Sequence, residues 1–194
     1  MAALDTFRRD DSFQTFKFRR DTPASRGQVY FARSYVFTTC GKVCYEICSF
    51  NDETTVSCYE SPGSEEHALV VKFGWGEPAS IVYASGTPAP LKTLLTKQTG
   101  SHAKILRCGS REYEWHIDVI SPGECSYRIA DRKDSSMTLA RLRVFQRPPA
   151  PSFSLEISTP IWLHSQMCNT IIAAVVLMCK QDDPWLAGSG SGLV

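Results

Sequence analysis

The sequence predicts a mainly β fold: an antiparallel closed or nearly closed β-barrel around a hydrophobic C-terminal α-helix. Three observations predict it. Short segments rich in Val, Ile, Tyr, Phe and Thr recur between about residues 28 and 157, punctuated by turn residues such as Cys40-Gly41-Lys42, Ser61-Pro62-Gly63 and Ser121-Pro122-Gly123. Several of them alternate: Val43, Tyr45 and Ile47 fall on one face, as do Tyr113, Trp115 and Ile117, while Leu142 and Val144 oppose Arg141 and Arg143. Nine apolar residues, Ile171 to Cys179, then run unbroken. That run is too short for a bilayer, which takes about 20 residues, and a helix apolar all round must be enclosed on every side. A sheet curled around it meets that demand and removes exposed edges.

In chain order, residues 1–26 lack steady periodicity and read as an N-terminal extension, with Phe13, Phe16 and Phe18 able to pin it to the barrel. Residues 27–183 read as a single domain. Its strands are expected at 28–37, 43–48, 54–60, 68–73, 80–84, 103–108, 112–118, 125–131, 138–145 and 153–157. The glycine-flanked Trp75 reads as a bulge or turn. Arg147-Pro148-Pro149-Ala150-Pro151 reads as a stiff spacer. The helix is expected at about 163–180, because Ala173 and Ala174 favour it, neither Gly nor Pro interrupts it, and Pro184 follows. Residues 184–194, with Gly and Ser alternating from Gly188 to Gly192, read as a flexible tail of linker composition, such as a removed tag leaves.

Composition excludes some functions. The 194 residues are 43% hydrophobic, and 21 Lys and Arg against 20 Asp and Glu give a net charge of +1. No general basic surface for nucleic acid is expected, nor wholesale disorder. The N-terminus has no apolar core of a secretory signal, so the eight cysteines are expected as reduced thiols in a cytoplasmic protein. Cys44 and Cys48 on one strand would lie ~13 Å apart, too far to share a metal or a disulfide. No metal, cofactor or transmembrane segment is expected.

The chain has no GxSxG, HExxH, GxGxxG or Walker-type motif. Its best catalytic constellation is Glu114, His116 and Asp118, which share a strand face with neighbours ~6 to 7 Å apart. Two carboxylates flanking an imidazole suit general acid–base chemistry. The same pattern also describes the solvated face of an amphipathic strand. Cys108, between Arg107 and the turn at Gly109, and Cys125 are candidate nucleophiles. Charge is segregated: Glu46 to Glu66 holds six acidic residues and no basic one, whereas Arg132 to Arg147 holds five basic residues against Asp134. Arg128, Arg132, Lys133, Arg141 and Arg143 form a candidate anion-binding set.

The succession from Val43-Cys44-Tyr45 through Lys72-Phe73-Gly74-Trp75-Gly76, Ser80-Ile81-Val82-Tyr83, Arg111-Glu112-Tyr113-Glu114-Trp115, Leu139 to Phe145 and Leu155-Glu156-Ile157 to the apolar helix resembles a fungal family of unknown function. That family is itself similar to the tubby C-terminal, LURP-one-like and phospholipid-scramblase folds. The resemblance spans about residues 28–181. It implies a barrel around a hydrophobic helix and brings no catalytic residues with it. Tubby-like domains bind phosphoinositide head groups, so it makes a lipid phosphate one candidate ligand. The expected function is a cytoplasmic binding module for an anionic lipid head group or a small molecule, its oligomeric state left open. The alternatives are a small-molecule enzyme with a site at the barrel mouth using His116 or a cysteine, and a protein-interaction or structural domain.

Overall fold

The computed structural model describes residues 13–20, 33–38, 40–50, 53–59, 65–75, 78–84, 86–97, 103–121, 124–145, 152–162 and 165–180. In them, 13 strands form one antiparallel sheet. They are β1 (Phe13–Arg20), β2 (Arg33–Thr38), β3 (Val43–Phe50), β4 (Glu53–Tyr59), β5 (His67–Gly74), β6 (Ser80–Tyr83), β7 (Pro88–Pro90), β8 (Leu95–Lys97), β9 (Lys104–Cys108), β10 (Arg111–Ser121), β11 (Glu124–Asp131), β12 (Thr138–Phe145) and β13 (Ser152–Ser158). A short helical turn, α1 (Thr159–Trp162), leads into α2 (Ser165–Lys180).

The strand order is β7-β6-β5-β4-β3-β2-β1-β13-β12-β11-β10-β9-β8. Strands adjacent in sequence pair with one another, apart from β7 and β8, and β1 pairs with β13. The first and last strands therefore lie side by side in mid-sheet, and both edges come from the middle of the chain. Those edges, β7 and β8, are joined by a single 3-10 turn at Leu91–Thr93 but are not paired, so the sheet is open there. The reason is local. Pro88 and Pro90 flank Ala89 in β7, and a proline has no N–H to offer a further strand.

The mainly β, antiparallel architecture with one long C-terminal helix matches the sequence expectation. From Ile171 to Met178 every residue of α2 is at most 1% exposed. At 3.6 residues per turn this covers all its faces, and the inward rows of the strands supply the cover: Phe16, Ile47, Val71, Leu106, Trp115, Tyr127, Leu142 and Leu155 are all buried. Alternation holds on β12, where Leu142 and Val144 are buried while Arg141 is exposed and Arg143 partly so. It breaks where the register slips. On β3, Val36 faces Tyr45 but Phe37 faces Val43, so Cys44 is the extra residue of a bulge and is buried beside Tyr45. Leu139 is buried beside Ala140 at a similar slip between β11 and β12.

Two parts of the sheet depart from the sequence reading. Phe13–Arg20, within the segment read as an extension, is β1, seated between β13 and β2 with Phe16 fully buried. Residues 88–97, where no strand was expected, supply β7, the 3-10 turn and β8. Trp75 follows the end of β5, stacks on Phe73 at 5.4 Å and donates through Nε1 to Thr54 Oγ1 at 2.9 Å. Residues 147–151 and 184–194, and the side chain of Cys125, lie outside what is described. Among the described residues no helix is long and apolar enough to cross a membrane.

Candidate functional site

The outward face of β10 to β12 gathers most of the charged candidates. Antiparallel register sets His116 opposite Arg128, Arg128 opposite Arg141, and Arg141 opposite Glu156. Side chains directly opposite have Cβ atoms about 4.5–5.5 Å apart, so an imidazole and two guanidinium groups stand in one row across three strands. Like charges in such positions destabilise a sheet unless something neutralises them.

Carboxylates neutralise some of the predicted anion-binding set and not others. Arg132 bonds to Glu112 through Nη1 and lies 3.7 Å from Glu114 through Nε, and Arg107 Nε meets Glu112 Oε1 at 3.1 Å. Hydrogen bonds from Arg107 and then from Arg132 hold the Glu112 carboxyl below its usual range. Arg143 has Glu156 at 3.7 Å. Lys133 is exposed, and its backbone N–H donates to Asp131 Oδ1 at 2.7 Å. Arg141 is exposed and sits over the Phe13 ring, 5.4 Å from its centroid. Arg128 is partly buried. Its Nε is enclosed with no hydrogen-bond partner, and among the described residues no carboxylate pairs with it.

Glu114 and His116 share the outward face of β10, as expected from alternation. His116 Nε2 lies 3.1 Å from Glu114 Oε2 but out of line for a hydrogen bond, so it too is enclosed and unbonded. Asp118 continues the strand opposite Ser126, and its side chain lies outside the described residues.

A second feature adjoins the open edge of the sheet. A cavity of about 630 Å³ is walled by Leu69 to Val71 of β5, Tyr83 at the end of β6 and Ala89 of β7 on one side, and by Arg107 to Gly109 on the other. Thr93 of the 3-10 turn and Gln166, Asn169, Thr170 and Ala173 of α2 complete it. Gly109, at φ 59°, makes the two-residue turn that brings Cys108 to the rim. Thr170 Oγ1 lies 3.4 Å from Cys108 Sγ and donates to the Gln166 carbonyl at 2.8 Å. Burial pushes the Tyr83 phenol above its usual range, so it is neutral. Glu114 and His116 are not among the lining residues.

Sequence reasoning singled out Cys108 but missed Tyr83, Asn169 and Thr170. No single segment signals them, because the cavity is assembled from β5, β6, β7, β9 and α2. Beneath it, the Tyr45 hydroxyl contacts Cys168 Sγ at 3.2 Å and Asn169 Oδ1 at 2.8 Å. Burial pushes Cys168 up to about 12 and Cys44 up to about 11, so these are inert core thiols. No family model, no curated protein and no solved structure matches this chain.

Proposed function

We propose that the protein is a binding module for a phosphate monoester, held on the outward face by Arg128 and Arg141 with His116 beside them. One observation carries the reading: among the described residues Arg128 has an enclosed, unbonded Nε and no carboxylate partner, yet stands directly between His116 and Arg141. An unpaired, partly desolvated guanidinium is costly, and an anion beside it offsets part of that cost through its charge, the enclosed Nε itself being out of reach. A dianion with three free oxygens suits two guanidinium groups and an imidazole better than a carboxylate, which one arginine satisfies with both its oxygens. The same chemistry occurs on a lipid head group and on a soluble metabolite. The barrel reading belongs with this proposal: the buried helix and the single 3-10 turn that joins edge strands β7 and β8 support a nearly closed, tubby-like plan.

Calorimetric titration with phenyl phosphate, and co-sedimentation with phosphatidylcholine vesicles with or without phosphatidic acid, test this at near-physiological salt. Binding of phenyl phosphate supports a soluble ligand, and binding only to phosphatidic acid vesicles supports a head group. Arg128→Met is expected to weaken either by about tenfold or more, because hydrogen bonds to charged groups contribute about 1.5–3 kcal/mol. Without anion it should melt no lower than the parent, since an unpaired charge has been removed. Arg132→Gln, whose guanidinium is already paired, should bind nearly as the parent does. No saturable binding of either probe, or equal loss in both variants, overturns the proposal.

A further inference from the structure

The cavity beside the open edge differs in chemistry from the outward face. Among the described residues that line it, the one formal charge is Arg107, and that guanidinium is already engaged by Glu112 at 3.1 Å. Its walls are mainly apolar, formed by β5, Ala89 and Ala173. Its polar groups gather where α2 meets the β9–β10 turn.

Among those groups Asn169 is oriented by the fold. The Tyr45 hydroxyl donates to its Oδ1 at 2.8 Å, which fixes the amide and leaves the Nδ2 donors as its remaining hydrogen-bonding group. Among the described residues no protein partner takes them. Thr170 and Tyr83 add hydroxyls to the same lining. A volume of about 630 Å³ lies within the range of small-molecule sites, which are mostly apolar with a few placed polar groups.

We propose that this cavity binds a small, neutral, largely apolar molecule carrying a carbonyl oxygen, with the apolar body against Leu69, Val70 and Ala89 and the oxygen at Asn169 Nδ2. Neutrality follows from the absence of an unopposed charge in the lining. The carbonyl follows from the oriented donor, which an apolar ligand would leave unpaired at a cost. The cavity lies beside the unpaired β7 edge, where Ala89 and Thr93 line it. The site shares no residue with the Arg128 row, so the two proposals stand or fall separately.

The probe is propionyl-dimethylaminonaphthalene, a neutral aromatic ketone whose emission shifts to the blue in apolar surroundings. One-to-one saturable binding is expected. Ala89→Trp, on an edge strand, should abolish it by filling the cavity, and Asn169→Leu should weaken it by about tenfold, the loss of one buried hydrogen bond. A third readout needs no variant: saturating fluorophore should slow alkylation of Cys108 by iodoacetamide and leave exposed Cys40 unchanged, followed by mass spectrometry. Arg128→Met should bind the fluorophore as the parent does. The proposal is overturned by failure of saturable binding, by an unprotected Cys108, or by tighter binding of the anionic anilinonaphthalene sulfonate than of the ketone.

Discussion

The Tyr45 hydroxyl of β3 donates to Asn169 Oδ1 of α2 at 2.8 Å and also contacts Cys168 Sγ at 3.2 Å, tying the sheet to the helix it surrounds. Tyr45 is 2% exposed, and burial is the largest of the effects that raise its pKa well above the usual value. Tyr45→Phe keeps the ring and removes the donor, leaving an acceptor without its partner. The expected loss is about 1–3 kcal/mol, read as a lower urea midpoint with unchanged slope. The fluorophore should also bind more weakly, since the Asn169 amide is then free to turn.

Glu112 supplies a pH dependence. Bonded by Arg107 and then by Arg132, its carboxyl has a depressed pKa in the folded protein. Its stabilising effect is therefore fully present above the unfolded value, about 4.3, and is lost as the pH falls through the folded value. Glu112→Gln should therefore lower the melting temperature at neutral pH, only slightly because an exposed pair is well screened, and this difference should shrink as the pH falls through that window. Melting curves from pH 7 down to the acid transition check this.

The architecture was legible wherever one face of a strand is buried. Leu142 and Val144 against Arg141 and Arg143 state the two faces of β12 outright, and the apolar run from Ile171 required a sheet around it. β1 was not legible, because its core-facing positions are Gln14, Phe16 and Phe18, one of them polar, among Lys17, Arg19 and Arg20. β7 and β8 were hidden by their length of three residues and by Pro88 and Pro90, which read as turn chemistry. For the charged face, the set of residues was visible but its pairing was not. Nothing local distinguishes Arg132, which meets Glu112, from Arg128, which meets no carboxylate among the described residues. That division is made by register between strands, a long-range property of the fold.

The thiols should separate sharply in reactivity. Cys40 is exposed in the β2–β3 turn, and the Thr38 hydroxyl, 2.9 Å from its sulfur, is the largest influence lowering its pKa, followed by the Lys42 backbone. Cys44 and Cys168 are pushed up to about 11 and about 12 by burial. Native alkylation with iodoacetamide at neutral pH should therefore modify Cys40 first and Cys44 and Cys168 last, because the thiolate is the nucleophile. Thr38→Val should slow Cys40 alone. Modification of Cys168 at a rate comparable to Cys40 would show that the helix is not enclosed as described.

The open edge makes the last prediction. Edge strands invite pairing with other chains, and prolines are one way a protein prevents it. Here Pro88 and Pro90 remove two of the three N–H groups of β7. The double substitution Pro88→Thr and Pro90→Thr restores both donors to an edge strand three residues long. Two outcomes are open to such a strand: pairing with β8 across the gap, or pairing with a second molecule. The 3-10 turn at Leu91–Thr93 holds the two edges apart with few residues to spare, so the intermolecular route is favoured. Sedimentation velocity over a concentration series should show self-association of the double variant beyond that of the parent. If it instead stays at the parent's size, loses fluorophore binding and melts higher, the gap has closed within the chain, and the turn is more compliant than its length suggests.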